Sequence, residues 1–181
     1  MKTLAAIEQA MALLDAAIRP IAKSGIDVSA PGWSEKLRAP KPAPEPWRPA
    51  LDQAGVRADA ERVVDEIIDL YAAASEAERT AIRALFRKYD SFAWAVSLPP
   101  EPMTVELLRR TLLLFSIEDQ EKDWRDAIVW LDGICARATK AGLPLAKMLS
   151  ETADLSSDTA PFGPGRSTRK MLADYAERFG K

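Results

Sequence analysis

The amino-acid sequence predicts an all-α protein, built as an irregular helical bundle or as a short HEAT-like stack of about three antiparallel helix pairs, with an extra N-terminal helix. Three observations lead to this prediction. Apolar residues recur every three or four positions over most of the chain. Capping residues and glycines stand where these patterns begin and end. No run of useful length alternates with the period of a β-strand.

The N-terminal part of the chain is predicted to form two segments that precede the core. Residues 1–28 are predicted to be an amphipathic helix that docks on the rest of the protein or on a second copy. Its apolar stripe has helical spacing: Leu4, Ile7, Met11, Leu14, Ile18 and Ile21. Residues 29–55 contain closely spaced prolines, which fix φ and remove backbone donors, so we expect an extended strap. Because it carries Trp33 and Trp47, we expect the strap to lie partly on the helical body; a ligand for a partner's aromatic groove is the alternative.

The helical core domain is predicted to cover residues 56–181. Its helices follow from apolar spacing and end signals: one from about 58 to 74, one from the Ser75–Glu78 capping box to Pro99, one capped by Thr104, one between Asp123 and Gly142, one over 143–155, and one opened by Ser167 or Thr168. The pairs begin near 58, 104 and 143, a spacing of about 40 residues that is typical of two-helix solenoid repeats. Because no repeated residue signature accompanies this spacing, a compact bundle is at least equally compatible.

Composition excludes several classes of protein. The chain of 181 residues has one cysteine and no histidine, which excludes an internal disulfide, a histidine-bearing zinc site and a catalytic triad. Only carboxylate, lysine or tyrosine chemistry remains for an enzyme, and we predict a protein that is not an enzyme and uses no cofactor. A net charge of −2 argues against nucleic-acid binding. No stretch approaches the roughly 20 apolar residues that span a bilayer, so we expect a cytoplasmic protein without membrane contact.

Acidic residues are the first candidates for binding a partner. The candidates form two groups along the chain, with a tryptophan in the second: Asp65 and Asp69, then Glu118, Asp119, Glu121, Asp123, Trp124 and Asp126. If these groups share a face, they would attract a basic partner and speed its association. The alternative is a solvated helix surface, with acids favoured near helix N-termini. A metal site is not predicted, because helical di-metal bundles usually add histidines that this chain lacks.

The loop before the last helix is a candidate anion site. Its candidate residues are Gly165, Arg166, Ser167, Thr168 and Arg169. Glycine frees the backbone, the hydroxyls can cap the first turn, and the arginines add positive charge at a helix N-terminus. The loop lacks the Gly-Lys-Ser/Thr ending of a P-loop and follows no predicted strand, which favours a structural turn before a capped helix. Cys135 lies on an apolar helix face and is predicted to be buried.

Three stretches of the chain are distinctive: Leu85–Ala95; Leu112–Gln120 with Asp126–Leu131; and Leu155–Asp158 with Gly165, Ser167–Arg169 and Met171–Leu172. They resemble a group of bacterial helical proteins associated with polymorphic toxin loci, where small acidic proteins often act as immunity factors. The resemblance covers roughly residues 80–172 and assigns no binding residue to this chain. It implies an immunity-type inhibitor that binds and masks a cognate toxin, with a basic toxin domain as the partner.

Two alternatives stay open beside this protein–protein interaction hypothesis. The first is a structural or adaptor helical module that homo-oligomerises, whose N-terminal helix and strap tether the helical body to a complex or to a second copy. The second is a protein that binds a phosphate-bearing ligand through residues 163–169.

Overall fold

The computed structural model is all-α, as the sequence predicts. It describes residues 3–23, 51–96, 103–118, 124–159 and 165–180, and within these ranges the only regular secondary structure is helical. The helices in chain order are α1 (Leu4–Lys23), α2 (Arg57–Ala73), α3 (Glu76–Lys88), α4 (Asp90–Val96), α5 (Val105–Ile117), α6 (Trp124–Lys140), α7 (Leu145–Leu155) and α8 (Thr168–Phe179). The proline strap up to residue 50 and the predicted cap at Asp123 lie outside the described residues.

Side chains cap the helices where the sequence predicts caps. The Ser75 backbone N–H donates to Glu78 Oε2 at 2.8 Å and the Glu78 N–H donates to Ser75 Oγ at 3.4 Å, which is a capping box. The Thr104 hydroxyl caps α5, and the Ser167 hydroxyl caps α8. Gly142 follows α6 with φ of +66°, a left-handed conformation that favours glycine. These predicted helix ends are confirmed.

One predicted helix is interrupted. The apolar spacing after Ser75 predicts a continuous helix to Pro99, but α3 ends at Lys88 and α4 begins at Asp90. The cause is a buried carboxylate of α1, because Asp15 Oδ1 accepts the Phe92 backbone N–H at 3.0 Å. In a continuous helix that N–H would donate to the carbonyl of the residue four positions earlier. The prediction of one continuous helix is therefore wrong at this point.

The chain divides into two compact units. Unit 1 comprises residues 1–67 and 88–98, and unit 2 comprises residues 68–87 and 99–181. Within unit 1, α1 packs on α4. The end of the predicted strap also belongs to unit 1, where Leu51 is buried in a short helical turn.

Helices α5, α6, α7 and α8 share one apolar core in unit 2, as in a bundle. The buried residues of this core are Met103, Leu108, Leu112, Phe115, Ala127, Leu131, Ile134, Cys135, Ala138, Leu145, Met148, Leu149, Ala153, Met171 and Leu172. Helices α7 and α8 are antiparallel neighbours, since Arg169 at the start of α8 bonds to Ser156 at the end of α7. Cys135 is buried in this core, as predicted.

A buried polar cluster lies beside this core in unit 2. The Tyr71 hydroxyl lies 3.0 Å from both Ser116 Oγ and the Leu155 carbonyl oxygen, and it accepts a hydrogen bond from Arg83 Nε at 3.2 Å. Ser156 Oγ donates to Ser116 Oγ at 2.7 Å. The cluster thus ties the end of α2 to α3, α5 and α7.

Candidate functional site

The outward face of α6 carries the most exposed large apolar side chain among the described residues. Val129 is 71 % exposed, whereas Leu131 and Ile134 on the opposite face are buried in the core of unit 2. Gly133, one turn after Val129, and Ala136, two turns after it, are also exposed. A Cβ atom built on Gly133 would meet nothing within 4 Å. Small residues thus follow Val129 on this face, which also carries the exposed Arg125 and Asp132.

A polar and aromatic cluster borders this apolar surface. The Tyr175 hydroxyl of α8 donates to Asp132 Oδ1 of α6 at 2.8 Å, and Arg178 Nη1 lies 3.6 Å from the same oxygen. The Arg178 guanidinium also lies over the rings of Tyr175 and Phe179, at 5.7 Å and 5.4 Å from their centroids. We call the combined surface the α6–α8 surface; its members are Val129, Asp132, Gly133, Ala136, Tyr175 and Arg178.

Electrostatics favour the neutral form of the phenol in this cluster. Burial and, to a smaller extent, the hydrogen bond to the Asp132 carboxylate together raise the pKa of Tyr175 to about 12. Burial, with a smaller contribution from Asp132, likewise raises the pKa of Cys135 to about 12. The thiol is therefore protonated at neutral pH and inaccessible, which makes it a core residue rather than a nucleophile. The phenol remains a hydrogen-bond donor that fixes Asp132.

Of the predicted acidic residues, the side chains of Asp65, Asp69 and Glu118 are described. Asp65 and Asp69 are exposed on α2, and Asp69 Oδ1 lies 3.6 Å from Arg109 Nη1. Glu118 is only 8 % exposed, so its carboxylate is not presented to a partner as the acidic-patch hypothesis requires. Trp124 and Asp126 lie in the first turns of α6, and their side chains are outside the described residues. The remaining candidates, Asp119, Glu121 and Asp123, also lie outside them.

Arginines neutralise other acidic side chains of α2. Arg62 Nη2 lies 2.7 Å from Asp59 Oδ1, and Arg62 Nη1 lies 3.7 Å from Glu66 Oε1. Both contacts are half-exposed pairs within one helix, and such pairs stabilise a helix only weakly. The acidic appearance of this helix in the sequence therefore overstates the negative charge that it offers to a partner.

The candidate anion loop forms a structural turn in the described residues. Gly165 has φ of +71°, Ser167 caps α8 and Thr168 is buried. Arg169 Nε donates to the Ser156 carbonyl oxygen at 3.0 Å, and Arg169 Nη1 lies 2.8 Å from Asp158 Oδ2. The charge of this arginine is thus used within the protein. Arg166, the other candidate cation, is exposed.

Sequence reasoning missed the α6–α8 surface although a signal for it exists. The core positions of α6 leave Arg125, Val129, Asp132 and Ala136 on the opposite face at helical spacing. The sequence prediction instead selected the acidic residues just before α6 as candidates for binding a partner. Tyr175 and Arg178 lie more than 40 positions after Asp132 in the chain, and the Tyr175–Asp132 hydrogen bond spans 43 positions. Because these residues are so far apart, no local sequence pattern indicates their contacts.

The described part of the chain contains neither a candidate membrane span nor a candidate metal site. None of its helices combines the length and hydropathy that a membrane span requires. Among the same residues, no three cysteine or carboxylate side chains are grouped so that they could hold a metal ion. Comparison with known protein families, curated proteins and solved structures gave no match, so function has to be inferred from the residues themselves.

Proposed function

We propose that this chain is a non-catalytic protein that binds another protein through its α6–α8 surface. The observation that carries the proposal is the 71 % exposure of Val129 beside a fixed tyrosine–aspartate–arginine cluster. Protein interfaces concentrate their binding energy in tyrosine and arginine side chains around an apolar centre. A side chain that is already held in place loses little conformational entropy on binding, so the cluster is suited to contact a partner.

The surface fits a partner that offers an apolar side chain and a hydrogen-bond acceptor. Burying a valine side chain fully stabilises a complex by roughly 1.5–3 kcal/mol. The 64 % exposed side chain of Arg178 can donate to a carbonyl or carboxylate at the rim while its guanidinium remains over the Tyr175 ring. A helix or loop of the partner could approach closely at Gly133, because that position has no side chain.

The more specific form of the proposal is an immunity-type inhibitor that masks a basic toxin domain. Two considerations support it: the resemblance of residues 80–172 to toxin-associated helical proteins, and the 50 % exposed carboxylate of Asp132 at the centre of the surface. This carboxylate would attract a basic partner over a distance. Such attraction weakens as salt rises, since the screening length falls from about 30 Å at 0.01 M to about 8 Å at 0.15 M.

A tagged pull-down from bacterial cytoplasm, compared between wild type, Val129→Glu and Val105→Glu, tests the proposal. Val105 is the matched control, because it is an exposed valine at the first position of α5, where a glutamate is tolerated. We expect one stoichiometric protein to be lost with Val129→Glu and kept with Val105→Glu. A partner retained by Val129→Glu would refute the assignment of the surface.

Salt and charge reversal separate the general proposal from its immunity form. A basic partner that dissociates at moderate salt, and whose association is slowed by Asp132→Lys, would support an inhibitor of a basic toxin. A partner that is lost with Val129→Glu but is indifferent to salt would support the interaction function and reject the immunity form.

A further inference from the structure

Helix α1 has an uncharged outer face. The exposed residues along it are Ala5, Ala6, Gln9, Leu13, Ala16, Ala17 and Pro20, and Arg19, which is exposed at the edge of this face, pairs with Asp15. Leu13, at its middle, is 70 % exposed. The inner face is apolar as well, because Ile7, Met11 and Ile18 are buried in unit 1. A helix that is apolar on both sides is normally covered on both sides.

The described charged side chains of α1 are engaged within unit 1. Glu8 accepts hydrogen bonds from Lys88 Nζ at 2.7 Å and from Tyr89 Oη at 3.3 Å. Asp15 is buried and bonds to the Phe92 backbone N–H, and Arg19 donates to Asp15. These contacts draw the charges of the helix to its flank and inner side. The described side chains of the outer face therefore carry no charge that would select a partner of opposite charge.

The spacing on the outer face is that of a coiled-coil seam. Ala6, Gln9, Leu13, Ala16 and Pro20 follow one another at intervals of three and four residues, as the a and d positions of heptads do. Leu13 is the only large apolar side chain among them, and it lies midway between Ala6 and Pro20. Alanines on both sides leave room for a neighbouring helix to approach closely.

We propose that α1 pairs with α1 of a second copy of this chain across a two-fold axis near Leu13. In a two-fold interface the same patch faces itself, and the residue at the axis meets its own equivalent. Each Leu13 side chain then fills the space beside the partner's small residues as a knob fills a hole. A face with one central leucine and alanines around it is complementary to itself without any charged group.

The area of this face predicts a weak, reversible dimer. From Ala5 to Pro20 the helix is about 24 Å long, at 1.5 Å per residue. With a covered width of roughly 15–18 Å around a helix of about 10 Å diameter, each copy buries roughly 400 Å² and the pair roughly 800 Å². Stable specific complexes bury at least about 1,200 Å². A rapidly exchanging dimer, populated only at high protein concentration, is therefore the expected state.

This inference does not rest on the proposed function. Leu13 belongs to unit 1 and Val129 belongs to unit 2, so substitutions at the two sites report on different surfaces. Loss of the partner in the pull-down with Val129→Glu, and loss of self-association with Leu13→Glu, can each occur without the other.

Sedimentation velocity of the purified full chain over roughly 5–500 µM, which brackets micromolar to near-millimolar dissociation constants, tests the inference. We expect the weight-average sedimentation coefficient of wild type to rise towards that of a dimer with concentration. Leu13→Glu should remain monomeric, with an unchanged helical circular dichroism spectrum, whereas Val129→Glu should behave as wild type. A wild-type monomer throughout the range, as would result if residues 24–50 or a different protein covered the face, would overturn the inference. A dimer that persists in Leu13→Glu would overturn it equally.

Cross-linking provides a second readout that locates the axis. Leu13→Cys should form an intermolecular disulfide under mild oxidation, because residues at the axis lie close to their equivalents. The native Cys135 is buried and does not compete. Ala136→Cys, an exposed alanine of α6, is the control and should cross-link at least tenfold more slowly at the same protein concentration. Equal rates for the two variants would exclude an axis at Leu13.

Discussion

Deleting one oxygen atom, with Tyr71→Phe, should destabilise unit 2 measurably. The Tyr71 side chain is fully buried, and its hydroxyl contacts groups from α3, α5 and the end of α7. The substitution keeps the aromatic ring and removes only these hydrogen bonds. The experiment therefore isolates the polar cluster from the apolar packing around it.

The magnitude follows from which partners can be satisfied without the hydroxyl. A neutral hydrogen bond contributes about 1 kcal/mol and one from a charged donor about 1.5–3 kcal/mol. Part of the loss is recovered, because Ser116 keeps its bond with Ser156 and the Leu155 carbonyl still accepts from Arg83 Nη2 at 3.4 Å. Arg83 Nε loses its acceptor in a buried position. We expect a net cost of about 2 kcal/mol, which lowers the Tm by about 4–8 °C for a chain of this length.

Urea and thermal denaturation followed by circular dichroism would measure this cost, with Tyr89→Phe as the control. The Tyr89 hydroxyl makes a longer bond, 3.3 Å, to the half-exposed Glu8, so its removal should cost less than about 0.5 kcal/mol. Because the chain has two compact units, the transitions are to be tested for two-state behaviour before free energies are extracted. Equal effects of the two substitutions would refute the idea that the buried cluster stabilises unit 2.

Two further predictions concern other buried or coupled groups. Asp15→Ala leaves the Phe92 N–H without its acceptor, so it should lower the free energy of unfolding in denaturant by about 2 kcal/mol and speed hydrogen exchange of that amide. Asp174→Ala, which removes an exposed helical pair, is the control and should cost under about 0.5 kcal/mol. Similar costs for the two variants would contradict the role of Asp15. Folding raises the pKa of Tyr175 from 10.0 to about 12, so this group's contribution to stability is complete below pH 10 and is lost as pH rises towards 12. Tyr175→Phe should therefore reduce the loss of Tm between pH 9 and 11, and an unchanged pH dependence would contradict this coupling.

Local signals predicted the helix ends well, because the groups that cap a helix are close to it in the chain. Ser75, Thr104 and Ser167 each bond to a backbone N–H three residues further on. Apolar spacing likewise identified the inner faces of the helices, since the residues on one face recur every turn. Both signals depend on a few consecutive residues, and a single sequence contains all the information they need.

Features that depend on distant residues could not be predicted in this way. The break between α3 and α4 is caused by Asp15, which lies 77 positions before its partner Phe92. The Tyr71 hydroxyl contacts the Leu155 carbonyl across 84 positions. Acidic residues were expected to be available to a partner, but Asp69 lies beside Arg109 and Glu118 is buried. A single exposed valine on a polar helix face is common, so Val129 does not predict a binding surface unless its neighbours from α8 are known.

The distribution of charge indicates how this protein is expected to make contacts. Its basic and acidic residues nearly balance, with 25 Lys and Arg against 27 Asp and Glu, and many of them pair with each other within a unit. The most exposed large apolar side chains among the described residues are those of Leu13 and Val129. Apolar contacts are not screened by salt and are strengthened by sulfate. Association through either side chain should therefore persist or tighten as sulfate is added, whereas an interaction carried by Asp65 and Asp69 should weaken. The sign of the sulfate effect on affinity therefore distinguishes a surface that binds by burying apolar side chains from one that binds by charge, whichever partner is found.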